Sequence, residues 1–304
     1  MRYNENARLD ASQVQDRRRG GLPASRGGRA AVGGGGLGIV GVIVVVLLTQ
    51  LGGGSGSSAL LDGLGSLQQG QQASPGDLQA ECDAVASTAA NQDCRLLADI
   101  NSVQGYWAGQ MSSYVPADTV FFSGSVRTAC GSATSAAGPF YCPGDQLVYL
   151  DADFFRELET RFGARGGPLV EAYVLAHEYG HHVQGLLGTN ARVTRGETGP
   201  ASGSVRLELQ ADCYAGAWVN HATTAPGPDG QPLILEVTDA DVASALDTAA
   251  RIGDDYIQTQ LGGGTVDPES FSHGTSAQRQ RWFDAGYRSG DPNRCDTFST
   301  DDLG

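Results

Sequence analysis

The feature that most constrains this chain is a His-Glu-x-x-His sequence over residues 177–181, inside a segment patterned as an α-helix. Pro168 suits the first turn of such a helix, where its missing N–H is not needed. His177 and His181 lie four residues apart, so both imidazoles project from one helical face and can bind a single ion. Glu178 points about 100° away around the helix axis. The sequence therefore predicts a metal-binding helix with one carboxylate free to take a proton from water.

Two histidines do not complete a catalytic zinc site, which usually has three protein ligands and one open position. Gln184 and Leu187 stand where a metzincin requires Gly and His, so that pattern is excluded. The remaining candidates for the third ligand are His221, His273 and the carboxylates further along the chain.

Glu208 is the favoured third ligand of a Zn²⁺ ion, because it lies in a segment patterned as a helix over residues 205–219. Asp212 follows one turn later on the same face, and we expect it to accept a hydrogen bond from the outer N–H of His177. The alternative interpretation is that Glu208 and Asp212 are acids on the solvent-facing side of a surface helix.

An uncharged, mostly apolar stretch extends from Val32 to Leu51. Twenty helical residues reach about 30 Å, the thickness of a bilayer core, so the stretch predicts a transmembrane helix. A signal-peptide centre is the alternative, but the preceding arm is long and no clear Ala-x-Ala cleavage site follows. The arginines before the stretch favour a cell-membrane protein with a cytoplasmic N-terminus and an extracytoplasmic body.

Composition divides the chain into four parts. Residues 1–31 are polar and rich in Arg and Gly, which predicts a disordered arm. After the apolar stretch at 32–51, the Gly-, Ser- and Gln-rich residues 52–76 are typical of a flexible linker. Residues 77–299 form the predicted globular domain.

The charge of the chain is unevenly distributed. Residues 1–36 have seven Arg and three acidic side chains, and the remainder has 13 Arg and 31 acidic side chains, giving net charges of +4 and −18. Such an acidic body argues against nucleic-acid binding.

All six cysteines lie after the apolar stretch, and none forms a Cys-x-x-Cys pair. In an exported domain this indicates disulfides rather than a thiolate metal site, with free structural cysteines as the alternative. Six cysteines allow about fifteen pairings. We take as the working set Cys82–Cys94, Cys130–Cys142 and Cys213–Cys295.

The pattern of secondary structure predicts an α+β domain. Segments 119–126 and 146–150 are rich in β-forming residues and form either a hairpin or two strands of a sheet. Predicted helices follow over residues 153–162, 205–219 and 275–287, and the Thr238–Asp241 segment is typical of a capping box that opens a helix to residue 258. A further helix precedes the strands, over residues 78–98. Strands followed by helices are characteristic of the α+β class.

Four segments together resemble the neutral zinc metallopeptidase family of bacterial single-pass membrane proteins. They cover residues 138–143, 177–184, 208–213 and 271–276, and the similarity extends along the whole chain. The site also resembles the wider gluzincin class, in which a Glu-x-x-x-Asp helix supplies the third metal ligand. This resemblance implies a zincin-like fold, with an edge strand above the metal helix that holds an extended peptide. Residues 146–150 are our candidate for that strand.

The same resemblance implies a role for His273. In gluzincins a His or Tyr often stabilises the oxyanion formed when water attacks the peptide carbonyl. His273 is the candidate for this role and Tyr214 is its rival, while a helix-capping or surface His is the alternative for His273.

The sequence therefore predicts a membrane-anchored zinc endopeptidase in which Glu178 acts as the base and a peptide or protein is the substrate. Two alternatives remain open at this point. One is a non-catalytic module that binds zinc or a peptide, and the other is a zinc amidase that acts on cell-wall amides.

Overall fold

The computed structural model describes residues 1–18, 75–84 and 88–304, which form an α+β structure. Its helices are α1 (Pro75–Ala84), α2 (Gln92–Gln110), α3 (Asp153–Thr160), α4 (Pro168–Leu186), α5 (Gly203–His221), α6 (Asp239–Arg251), α7 (Asp254–Tyr256) and α8 (Ser276–Ser289). Its strands are β1 (Arg2–Tyr3), β2 (Val14–Asp16), β3 (Thr119–Phe121), β4 (Ser125–Thr128), β5 (Gly131–Thr134), β6 (Phe140–Cys142), β7 (Leu147–Leu150) and β8 (Ile234–Glu236).

The main sheet has four strands in the order β2-β3-β7-β6. Strands β2, β3 and β7 are parallel, and β6 pairs antiparallel with β7. The prediction that residues 146–150 form the edge strand is wrong, because β7 lies between β3 and β6. The edge strand on this side is β6, whose three residues are too few to show a strand period in the sequence. The open choice between hairpin and sheet is also decided, since β3 and β7 are parallel neighbours.

Helices α4, α5 and α8 pack closely, and two glycines permit this. A Cβ atom at Gly180 of α4 would lie 3.0 Å from the Cα of Ala211 on α5. A Cβ atom at Gly286 of α8 would lie only 1.9 Å from the carbonyl oxygen of Cys213 on α5. A larger residue at position 286 would therefore push α8 away from α5, and one at position 180 would require a small shift between α4 and α5. The short separation brings polar side chains of three helices into one buried space.

Two predicted helices end earlier than the sequence pattern indicated. The helix predicted over residues 78–98 is two helices, α1 and α2, and the side chain of Asn91 caps the start of α2. The capping box of Thr238 and Asp241 is confirmed, but α6 ends at Arg251 instead of continuing to residue 258. A short α7 and a π-helical turn over Ile257–Leu261 follow.

The three disulfides of the working set are confirmed, namely Cys82–Cys94, Cys130–Cys142 and Cys213–Cys295. The third bridge joins α5 to the C-terminal segment across 82 residues. It therefore fixes the helix that carries two of the predicted site residues.

The N-terminal residues differ from the sequence expectation. Residues 1–31 were predicted to be a disordered arm, but residues 1–18 contain β1 and β2 and pack against the rest of the structure. Tyr3 and Val14 are 2% and 1% exposed. Residues 19–31, the predicted transmembrane stretch 32–51 and nearly all of the linker lie outside the described residues. Among the helices that the structure describes, none is long and apolar enough to cross a bilayer.

Candidate metal centre

Three side chains from α4 and α5 converge at the centre of the helical packing. The Nε2 atoms of His177 and His181 are 3.2 Å apart. Each lies close to a different carboxylate oxygen of Glu208, at 3.2 Å for His177 and 3.3 Å for His181. Ligands bound tetrahedrally to zinc at 2.0–2.1 Å are separated by about 3.4 Å. These three residues therefore have the spacing of a zinc ligand set.

The environment of Glu208 supports a bound cation. Its side chain is fully buried, and neither carboxylate oxygen has a hydrogen-bond partner in the protein. A buried carboxylate without partners is costly, whereas one that coordinates a metal is not. The set of two imidazoles and one carboxylate also matches the donor preference of zinc. The residues that the structure brings together here fit the metal implied by the sequence.

Hydrogen bonds hold both rings with their inner nitrogens facing Glu208. The Nδ1–H of His177 donates to Asp212 Oδ1 at 2.8 Å, and the Nδ1–H of His181 donates to Gln184 Oε1 at 2.8 Å. Because each outer nitrogen carries the proton, each Nε2 keeps its lone pair for a metal. Gln184 is itself fixed by donating to the carbonyl of Leu207 at 2.7 Å.

Asp212 is surrounded by donors and stays charged. Arg279 of α8 donates from Nε to Oδ2 at 2.8 Å and from Nη2 to Oδ1 at 2.9 Å, and Tyr173 donates its hydroxyl to Oδ1 at 2.6 Å. Burial opposes the charged carboxylate, but Arg279 and His177 outweigh it and lower the pKa of Asp212. Arg279 therefore balances the charge of Asp212, and its Nη1 also lies 4.0 Å from Glu208 Oε2.

The same carboxylates affect His177. Burial opposes a charged ring, but Asp212 and Glu208 outweigh burial and raise the pKa of His177 to about 10. A proton and a metal ion would compete for the same Nε2 atom, so binding of a metal ion here would release a proton.

Glu178 lies beside the ligands without joining them. Its Oε2 accepts a hydrogen bond of 2.9 Å from the backbone N–H of Tyr141 in β6. Glu178 is 2% exposed and lines a cavity next to the metal centre. Burial, reinforced by Glu208, raises its pKa despite the opposing effect of His177 and His181. A raised pKa brings a carboxylate closer to the range useful for proton transfer near neutral pH.

His273 also lines this cavity. Its Nδ1 lies 3.2 Å from Asp254 Oδ1, and Asp254 Oδ2 accepts the backbone N–H groups of Ser272, His273 and Gly274 at 2.7–3.0 Å. Burial opposes a charged imidazole, but Asp254 outweighs it and raises the pKa of His273. The ring is thus held in place by a carboxylate that is itself anchored to the loop backbone.

The two rival residues lie elsewhere. Tyr214 packs edge-on against Trp107 at 5.1 Å between ring centroids and is not among the residues that line the cavity. His221, the other candidate metal ligand, has its Nε2 3.0 Å from the carbonyl oxygen of Gly290. Neither residue belongs to the metal centre in this structure.

The cavity beside the centre has a volume of about 40 Å³. Four large apolar side chains form much of its wall, and they are Phe154, Phe162, Val174 and Ile252. Glu157 and Arg161 also border it. Glu178 and His273 therefore face a mostly apolar space.

Several contributors to the site were not found from the sequence. Gln184 lies three residues after His181 on the same helical face, a spacing that could have revealed it. Arg279 and Asp254 are separated from their partners by 67 and 19 residues, and no local pattern marks them. The contribution of Tyr141 is a backbone N–H, to which the residue type gives no clue.

Helices α4 and α5 bring His177, His181 and Glu208 together, and Glu178 lies beside these three residues without joining them. This arrangement defines a protein of the His-Glu-x-x-His metal-site class. Residues 1–298 match the sequence family described as "Putative neutral zinc metallopeptidase". The chain belongs to this family.

Several bacterial proteins are similar to this chain over much of their length. An uncharacterized protein of Mycobacterium tuberculosis (strain ATCC 25618 / H37Rv) is 49% identical over 231 residues, which are 76% of this chain and 78% of that protein. The uncharacterized protein YpfJ of Escherichia coli (strain K12) is 44% identical over 191 residues, covering 61% of this chain and 63% of its own. No solved structure matches this chain.

Proposed function

We propose that this protein is a zinc-dependent endopeptidase that hydrolyses peptide bonds with water. The observation that carries the proposal is the convergence of His177, His181 and Glu208 around one point, next to a buried carboxylate, Glu178, that is not part of the convergence. Zinc, when bound, supplies Lewis acidity that polarises a carbonyl and makes water acidic enough to lose a proton near neutral pH.

Glu178 is the proposed general base. It accepts a proton from the attacking water and delivers it to the nitrogen that leaves. The N–H of Tyr141 holds one carboxylate oxygen and so fixes the direction of the other toward the cavity. Because Tyr141 is in edge strand β6, the same strand that would align an extended peptide also orients the base.

His273 is the proposed stabiliser of the negative charge that develops on the carbonyl oxygen. Asp254 holds the ring at Nδ1 and favours its charged form, which can donate a hydrogen bond from the opposite nitrogen. Support for this role comes from the position of His273 on the wall of the cavity that Glu178 also borders.

The proposed substrate is an extended peptide segment with a large apolar side chain next to the cleaved bond. Phe154, Phe162 and Val174 give the cavity an apolar wall within reach of Glu178, which favours such a side chain over a charged one. A zincin-like arrangement is part of this proposal, since β6 is an antiparallel edge strand that contacts the metal helix through Glu178. We also propose an extracytoplasmic location, on the basis of the three disulfides, and association with a membrane through the apolar residues 32–51.

The decisive experiment compares wild type with Glu178→Gln on an unfolded protein substrate. We expect zinc-dependent cleavage by wild type, with cuts beside large apolar residues, and a loss of about 10²–10⁴-fold in the variant. Glu178→Gln should still bind one equivalent of zinc, because its side chain is not a ligand. The matched control is Glu269→Gln, an exposed Glu that does not line the cavity, and this variant should cleave normally.

Other outcomes would separate the alternatives. Cleavage by Glu178→Gln at the wild-type rate contradicts the assigned base. Zinc binding by wild type with no hydrolysis of any amide indicates a binding module. Hydrolysis of peptidoglycan fragments, but not of unfolded protein, indicates a cell-wall amidase.

A further inference from the structure

The N-terminal residues 1–18 form part of the folded body that carries the metal centre. Strand β2 extends the main sheet by pairing in parallel with β3, and the backbone N–H of Arg17 continues this pairing to the carbonyl of Phe121 at 2.8 Å. Strand β1 pairs antiparallel with β8, and the N–H of Asn4 donates to the carbonyl of Leu233 at 2.8 Å. Without this segment, the backbone of β3 would be an unpaired sheet edge.

Polar side chains of helix α2 form hydrogen bonds with residues 1–18. The hydroxyl of Tyr3 lies 3.1 Å from both oxygens of Asp99, which is fully buried. Asn101 accepts the backbone N–H of Asp10 at 2.7 Å and donates to the carbonyl of Asp10 at 3.1 Å. Removing the segment would leave Asp99 and Asn101 without these partners, so the body is incomplete without residues 1–18.

The residues on either side of positions 19–74 lie against each other. Before that stretch, Arg18 forms two hydrogen bonds with Asp93 of α2, at 2.7 and 2.9 Å. After it, Gln79 of α1 accepts the backbone N–H of Ala11 at 3.1 Å. Helix α1 is also tied to α2 by the Cys82–Cys94 disulfide. Residues 18 and 79 therefore both contact the same folded structure.

We infer that residues 1–18 and the metal domain lie in the same compartment, on one side of any membrane with which the protein associates. Strand pairing and buried hydrogen bonds require direct contact, which a bilayer about 30 Å thick would prevent. A single crossing by residues 32–51 would separate the two parts, so it excludes the packing seen here. This inference replaces the cytoplasmic N-terminus that the arginines predicted, and it does not depend on the proposed hydrolysis.

Cysteine cross-linking in the full-length chain gives a direct test. Arg2 and Glu236 are opposite each other in the pairing of β1 with β8, and their side chains are 61% and 54% exposed. The double variant Arg2→Cys/Glu236→Cys, produced in bacteria, should form a disulfide without added oxidant if the domain is in an oxidising compartment. The matched control Arg2→Cys/Glu269→Cys places the second thiol on an exposed residue outside strand β8, which pairs with β1.

The single variants provide the readout of compartment. In sealed spheroplasts, Arg2→Cys and Glu236→Cys should react with a membrane-impermeant maleimide to the same extent, either both before lysis or both only after it. A thiol at position 236 that reacts before lysis, with one at position 2 that reacts only after lysis, would overturn the inference. A cross-link formed as readily in the control pair as in the matched pair would also count against the specific docking of β1.

Discussion

Two regions of this molecule each bury a carboxylate completely, but they shift its pKa in opposite directions. At the metal centre, burial disfavours the charged form of Glu208, but His181 and His177 outweigh burial and lower its pKa well below the ordinary value. At the N-terminal interface, burial and the nearby Glu171 raise the pKa of Asp99 well above its ordinary value. The first carboxylate is held charged without a hydrogen-bond partner, and the second, beside Tyr3, is shifted toward its neutral form.

This contrast shows that burial alone does not identify a functional acid. The sign of the surrounding charge decides, because cationic or metal-binding neighbours favour the ionised form and apolar or acidic neighbours oppose it. Glu208 therefore fits a cation, while Asp99 fits a hydroxyl of the same chain. Each of the following predictions changes one side of this comparison.

The largest expected effect on stability is at the metal centre, where the buried carboxylates are charged. Arg279→Leu should reduce the free energy of unfolding by about 3–5 kcal/mol, because Asp212 would remain buried without its guanidinium. Chemical denaturation measures this loss. Arg281→Leu is the control on the same helix, since its ion pair with Asp302 is exposed, and it should leave the midpoint nearly unchanged. Equal effects of the two substitutions would contradict the role given to Arg279.

Zinc should stabilise the fold through Glu208 but not through Asp99. At a zinc concentration 100 times the Kd, wild type should gain about 2.7 kcal/mol of stability. Thermal unfolding with and without a chelator measures the gain. Glu208→Gln should lose it and Asp99→Asn should keep it. A zinc-dependent gain that survives in Glu208→Gln would remove Glu208 from the ligand set.

Tyr3→Phe tests the N-terminal interface, where Asp99 is buried. Removing the hydroxyl leaves Asp99 buried without its partner, so we expect a loss of about 1–3 kcal/mol in the free energy of unfolding. Zinc content should not change, because Tyr3 does not contact the metal centre. A variant as stable as wild type would show that residues 1–18 do not contribute to the folded domain in solution.

The pH dependence of stability should reveal Asp99 itself. Its pKa is raised in the folded state, so the stability it contributes is present below about pH 4, the unfolded pKa, and is lost as the pH rises toward the folded pKa. Asp99→Asn removes this loss, and its advantage over wild type should grow by at most about 1.4 kcal/mol per pH unit within that interval. Denaturation midpoints of both proteins from pH 4 to pH 8 measure the difference. Parallel curves would show that Asp99 is ionised in the folded protein.

The sequence by itself determined the local parts of the metal centre. His177 and His181 lie one helical turn apart, as do Glu208 and Asp212, so helix geometry places each pair without knowledge of the rest of the chain. The same holds for the Thr238 capping box. The disulfide pairs followed from the spacing of the cysteines only as a working set, which the structure then confirmed.

Tertiary structure alone decided what faces these helices. Arg279 reaches Asp212 from 67 residues away, and polar residues 1–18 pack on α2 although their composition predicted disorder. Strand β6 rather than β7 is the edge strand and donates a hydrogen bond to Glu178 of the metal helix. In each case the partner is distant in the chain and the contact is made by hydrogen bonds. Because hydrophobic periodicity registers only which face of a local element is buried, it carries no information about such pairings.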